Sequence, residues 1–215
     1  MCTDPRAALI ITATARGIRR RVLLASALAV CLQACVPVVL TGAGVGASVI
    51  HDRRTTGTVL DDQHIELEGA ELLHNHPDIS ERSRIAVTSY NLVVLLTGQA
   101  ESQRVSDRFA ELISRLPKVK RVMNEVTVGP VESFARESED ALITSRVKVA
   151  LLGVKLPEFD PTRVKVVTEA GTVYLMGLVT PAEAEAAVER ARYVPGVKQV
   201  VKIFEYIPPP ATAPA

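Results

Sequence analysis

The chain contains a long internal repeat, and no other feature restricts its fold as much. Val94-Leu95-Leu96-Thr97-Gly98 aligns with Val173-Tyr174-Leu175-Met176-Gly177 at an offset of 79 residues, and Ile85 and Val87 fall on Val164 and Val166 in the same register. Pro117-Lys118-Val119-Lys120-Arg121-Val122 aligns with Pro195-Gly196-Val197-Lys198-Gln199-Val200 at an offset of 78, so a single deletion separates the two registers. Such self-similarity means that one supersecondary unit is built twice. At roughly 65 to 75 residues each unit is near the lower size for independent folding, which favours packing of the two against each other.

The second unit reads most clearly. Asp140 is placed to cap a helix whose Ile143, Val147, Ala150 and Leu151 recur at the three-and-four spacing of one buried face. A turn around Pro157 to Pro161 ends it. Val164, Val166 and Thr168 alternate as in a strand, Glu169 to Gly171 turn, and Val173, Leu175 and Gly177 form the return strand. Thr180, Pro181 and Glu183 have the spacing of a capping box with proline at the first helical position. Ala184, Ala187, Val188, Ala191 and Val194 line that helix, Pro195 and Gly196 stop it, and Val197 to Ile207 is a last strand. The first unit repeats the order, with Ile65, Gly69, Leu72 and Leu73 on its first helix and Val105, Phe109, Leu112, Ile113 and Leu116 striping its second. Helix, strand, strand, helix, strand predicts two helices on one face of a three-stranded sheet, an α+β layer arrangement.

Ahead of the repeat, Arg16, Arg19, Arg20 and Arg21 precede an uncharged run from Val22 to Leu32, then Gln33, Ala34 and Cys35. A basic region, a short apolar region and small residues form a secretory signal. Leu32-Gln33-Ala34-Cys35 resembles the lipobox of bacterial lipoproteins. That resemblance implies cleavage before Cys35, a diacylglycerol thioether and an N-acyl chain such as palmitate on it, and, with Val36 following, an outer-membrane destination. A membrane-spanning helix is the alternative, since no charge occurs from Val22 to Ile50; Pro37, Gly42, Gly44 and Gly46 count against it. Removing residues 1–34 takes away five of the 25 basic residues and one of the 24 acidic ones, leaving 20 against 23 and disfavouring a basic nucleic-acid binder. Cys2 and Cys31 leave with the signal, so no thiol remains for a disulfide, a metal or a nucleophile.

The tandem resembles the BON domain, named for bacterial osmotically inducible and nodulation proteins, whose mark is a glycine ending the second strand; Gly98 and Gly177 hold that place. Ile143 to Val147, Val164 to Val166, Val173 to Thr180 and Val194 to Val200 match most closely, and the likeness extends to dual BON-domain outer-membrane lipoproteins. It sets the expected organisation: signal peptide 1–34, lipidated N-terminus and tether 35–57, BON domains 58–129 and 135–207, and a disordered proline and alanine tail 208–215. It implies a non-enzymatic periplasmic module, anchored by lipid to the outer membrane, that binds anionic phospholipid and supports the integrity of the cell envelope. The alternative is an interaction scaffold or regulator recruiting a protein partner of the envelope.

The two first helices differ in charge. The first carries Asp61, Asp62, Glu66, Glu68 and Glu71, which an anionic bilayer repels, whereas the second carries Arg146 and Lys148, with Lys155 beyond. At about 100° per residue, Leu142, Val149 and Leu152 form a second apolar edge flanked by those cations. The expected lipid-binding set is Leu142, Arg146, Val147, Lys148, Val149 and Leu152: apolar groups to enter the acyl boundary and cations to meet anionic head groups. The competing use of the ridge is packing against the first unit. His74 and His76 lie next to Pro77 with no third ligand in view, and no nucleophile-and-base set is found, so neither a metal, a cofactor nor an enzymatic activity is expected.

Overall fold

Each unit opens with an amphipathic helix that packs across a hairpin. The computed structural model describes residues 52–129, 135–157 and 159–208. The lipobox with Cys35, the tether up to residue 51 and the tail from residue 209 lie outside them. In the first unit α1 (Thr56–His74) leads through a one-turn α2 (Pro77–Ser80) into β1 (Ser83–Tyr90), β2 (Val93–Ala100), α3 (Gln103–Ser114), β3 (Arg121–Asn124) and β4 (Thr127–Val128). In the second, α4 (Ala135–Leu152) and a 3-10 turn (Pro161–Arg163) precede β5 (Val164–Glu169), β6 (Thr172–Val179), α5 (Pro181–Ala191) and β7 (Gln199–Tyr206). Helix α1 starts at Thr56, capped by the Thr55 hydroxyl, two residues ahead of the boundary read from sequence.

Both sheets have the same wiring. β1 and β2 are antiparallel, and the helix that follows carries the chain over so that β3 and β4 run parallel to β2. β5, β6 and β7 repeat this, with β6 in the middle. The predicted cap of α5 forms in full: the Thr180 hydroxyl accepts from the Glu183 N–H at 3.3 Å, and the Glu183 carboxylate accepts from the Thr180 N–H at 2.7 Å.

One expected cap is replaced by a different role. Asp140 does not begin α4, which starts five residues earlier at Ala135. Its carboxylate accepts the N–H groups of Ala170 and Gly171 at 2.8 and 2.9 Å, holding the β5–β6 turn, where both residues have positive φ. Asp62 does the same in the first unit, accepting from the N–H groups of Asn91 and Leu92 at 2.7 Å. Those two residues also have positive φ, a conformation that costs a non-glycine residue about 1–3 kcal/mol. The buried carboxylate offsets that strain and takes further bonds from Ser89 Oγ and Arg54.

The central strands are buried on both sides. Val94 and Leu96 of β2 face α1 and α3, with Val105, Phe109 and Ile113. Val173, Leu175 and Val179 of β6 face α4 and α5, with Ile143, Val147 and Leu151. The alternate residues, Val93 and Leu95 of β2 and Tyr174 and Met176 of β6, meet in a third core with Tyr90 and Ile203. The two sheets therefore pack back to back, leaving a helix layer on each outer face. Each buried side chain of this size is worth about 1.5–3 kcal/mol, so two small units become one body with a shared core. Polar bonds tie its margins: Gln99 to Glu169 at 2.7 Å, Asn91 to Glu205 at 2.8 Å, and the Lys165 ammonium to Glu66 at 2.6 Å.

Candidate functional site: the outer face of helix α4

Because sheet packs on sheet, the ridge of α4 is not used to join the units. Leu142, Val149 and Leu152 are 49, 66 and 70% exposed, values large enough to decide against the interface alternative for these residues. Taking Val147 as the innermost point, the three lie within about 40° of the direction opposite the core, and Arg146 and Lys148 fall about 100° to either side. Val147 itself is a correction to the expected contact set. It is completely buried among Val164, Leu175 and Ala187, so it belongs to the core and cannot meet a ligand outside. Arg146 is exposed and lies over the turn after α5, with Nη1 donating to the Pro195 carbonyl at 3.4 Å.

On the Lys148 side the ridge borders a groove of about 530 Å³ lined by Lys148, Val149, Leu152, Val164, Tyr90 and Arg54, among others. Arg54 and Arg53 were read only as part of a polar tether. Arg53 instead grips Glu183 with two bonds, at 2.6 and 2.9 Å, and donates to the Leu178 carbonyl at 2.9 Å. Arg54 bonds Asp52 and Asp62 and lies over the Tyr90 ring at 3.9 Å from its centroid. The last part of the expected tether is thus clasped to both units beside the ridge. Burial would raise the carboxyls of Asp52 and Glu183, but the arginine bonds outweigh it and hold both below their ordinary range. Burial pushes the Tyr90 phenol up against the pull of Arg54. No periodicity signals such a clasp, and the partners of Arg53 lie more than a hundred residues away in sequence.

The equivalent face of α1 also carries apolar side chains, Leu60 and Leu67, 60 and 68% exposed, which the sequence reading passed over. The helix itself has no Lys or Arg, Lys118 pairs with its Asp61 at 2.6 Å, and part of its acidity is structural: Asp62 holds a turn, and Glu66 receives the Ser89 N–H and Lys165. His74 ends α1, and His76 precedes α2 with Nδ1 2.7 Å from the Leu72 carbonyl.

Comparison with known proteins fits this architecture. The BON domain model matches twice, over residues 61–130 and 139–208. The chain is a dual BON-domain protein. It is 39% identical over 176 residues to Outer membrane lipoprotein DolP of Haemophilus influenzae, covering 82% of this chain and 90% of that one. It is 38% identical over 156 residues to a 21 kDa hemolysin of Actinobacillus pleuropneumoniae, covering 73 and 79%, and 30% identical over 167 residues to Osmotically-inducible protein Y of Escherichia coli, covering 74 and 80%. The BON protein described here is of the DolP (YraP) type and is a lipid-anchored protein of the outer membrane.

Proposed function

We propose that the second BON domain docks on anionic phospholipid through the outer face of α4, that Cys35 carries the acyl anchor, and that this contact supports outer-membrane integrity. The observation that carries the reading is the exposed ridge of Leu142, Val149 and Leu152, rimmed by Arg146 and Lys148 and adjacent to the clasped segment that leads from the anchor. Apolar side chains enter the acyl boundary, and each cation near an anionic surface contributes about 1 kcal/mol. The clasp gives the face a side, since Arg54 lines the groove next to the ridge. The reading is of a binding module, not an enzyme.

The test is binding of the anchor-free protein to vesicles with and without phosphatidylglycerol. Wild type should bind the anionic vesicles only, and less at high salt. Lys148→Glu removes one favourable charge and adds an unfavourable one, about 2 kcal/mol or roughly thirtyfold in affinity. Leu152→Glu should abolish binding with the melting temperature unchanged, because this side chain faces water. Wild type that ignores both vesicle types would refute the proposal and point to a protein partner on the ridge.

A further inference from the structure

Eight large hydrophobic side chains are exposed among the described residues, and five of them lie on the two equivalent helices α1 and α4. Their spacing corresponds: Leu60 and Leu67 are seven residues apart, as are Leu142 and Val149, so each helix shows an apolar stripe two turns long. Their rims are opposite in sign. Asp61, Glu68 and Glu71 border the α1 stripe on a helix without Lys or Arg, and although Lys118 pairs with Asp61 at 2.6 Å the three carboxylates leave that rim net negative; Arg146 and Lys148 border the stripe of α4. We propose that these faces are complementary and that one copy of the protein docks the basic-rimmed ridge of α4 onto the acidic-rimmed stripe of α1 of a second copy.

The architecture sets the symmetry of such a contact. α1 and α4 occupy opposite outer layers of the back-to-back sheets, so the contact is heterologous, head to tail, and each copy keeps one free face of each kind. Like-charged pairings, α4 on α4 or α1 on α1, are disfavoured by the same rims. A two-turn contact is small, so the association is weak and transient. The inference shares α4 with the lipid reading, and the two occupants exclude each other: anionic lipid on α4 dissolves the contact, while α1 is left free by lipid.

Sedimentation velocity on the anchor-free protein tests this at concentrations up to the millimolar range. Wild type should form concentration-dependent species larger than a dimer. Leu67→Glu and Val149→Glu should each weaken self-association at least tenfold. Mixing these two variants should restore a heterodimer and nothing larger, because Leu67→Glu keeps an intact α4 and Val149→Glu an intact α1. Leu67→Glu should bind phosphatidylglycerol vesicles like wild type, and those vesicles should disperse wild-type oligomers. Monomeric wild type throughout, or a mixture that stays monomeric, overturns the self-docking proposal and leaves lipid binding untouched. Loss of vesicle binding by Val149→Glu together with an intact mixed heterodimer bears only on the membrane reading.

Discussion

The glycine that ends the second strand of each unit makes a quantitative prediction, because the two copies meet different constraints at the same register position. Gly98 pairs with Ile85, and a Cβ added there would lie 1.9 Å from the Arg84 carbonyl oxygen. Gly177 pairs with Val164, and its added Cβ would lie 2.6 Å from the Arg163 oxygen. Real Cβ contacts stay above 3.0 Å. Alanine at 98 must therefore push β1 away by at least about 1.1 Å, enough to break two or three ladder bonds at about 1 kcal/mol each. Gly98 also has φ of +116°, which adds about 1–3 kcal/mol for any other residue. Gly98→Ala is thus expected to cost about 3–6 kcal/mol, much of a typical domain's stability. At 177 the displacement is about 0.4 Å and φ is ordinary, so Gly177→Ala should cost about 1–2 kcal/mol. Urea denaturation of the two variants measures the difference, and amide exchange should show Gly98→Ala loosening β1 first. Equal costs, or a larger one at 177, would refute the steric account of this family glycine.

Two other predictions concern the polar supports. Asp62→Ala should destabilise by about 3–5 kcal/mol, since it leaves two strained N–H groups and the Ser89 hydroxyl without their acceptor and Arg54 with Asp52 alone; Asp140→Ala, which serves two N–H groups at a turn already containing Gly171, should cost about 1–2 kcal/mol in the same urea titrations. Glu183 has a folded-state pKa below its ordinary 4.5, so its contribution is fully present above that value and is lost as pH falls through 4.5 toward the folded pKa. The melting temperature should hold from pH 7 to about 5 and then drop, and Glu183→Gln should start lower at neutral pH and fall less steeply; parallel profiles would exclude Glu183 as a source of the acid sensitivity.

How far the fold could be read depended on whether the relevant contacts were local. The stripe of Val105, Phe109 and Ile113 and the box of Thr180 and Glu183 are set within four residues, and both formed as expected. Asp140 was read as a cap because an aspartate before an apolar stripe usually is one, whereas its partners stand 30 residues on. The back-to-back sheets left a trace: Val93 to Leu96 and Val173 to Met176 are unbroken apolar runs, the pattern of a strand buried on both faces. At the site, the ridge and its cations followed from helical geometry alone. Listing Val147 with them conflated two faces of one helix, and the arginine clasp, made by residues of a tether with partners in both units, had no local signature.

Duplication of a unit this small leaves the far face of each sheet apolar and uncovered, and the chain solves both deficits with one contact. Tyr90, Val93 and Leu95 cover Tyr174, Met176 and Ile203, and the reverse. The outer helices contribute little between units beyond the Glu66–Lys165 pair, and their inner stripes are constrained by the core. The outer faces of α1 and α4 differ in charge, whereas Ile65 and Ile143, and Asp62 and Asp140, hold corresponding places in the two units. The clasp breaks the remaining symmetry: Arg53 holds Glu183 of the second unit, and Arg54 lines the groove beside Lys148, Val149 and Leu152 of α4. Leu67 lies on the acidic stripe of α1 and Leu152 on the basic-rimmed ridge of α4, so under the proposed lipid contact substitutions at the two, though alike in exposure, should separate: Leu152→Glu should lose vesicle binding and Leu67→Glu should keep it.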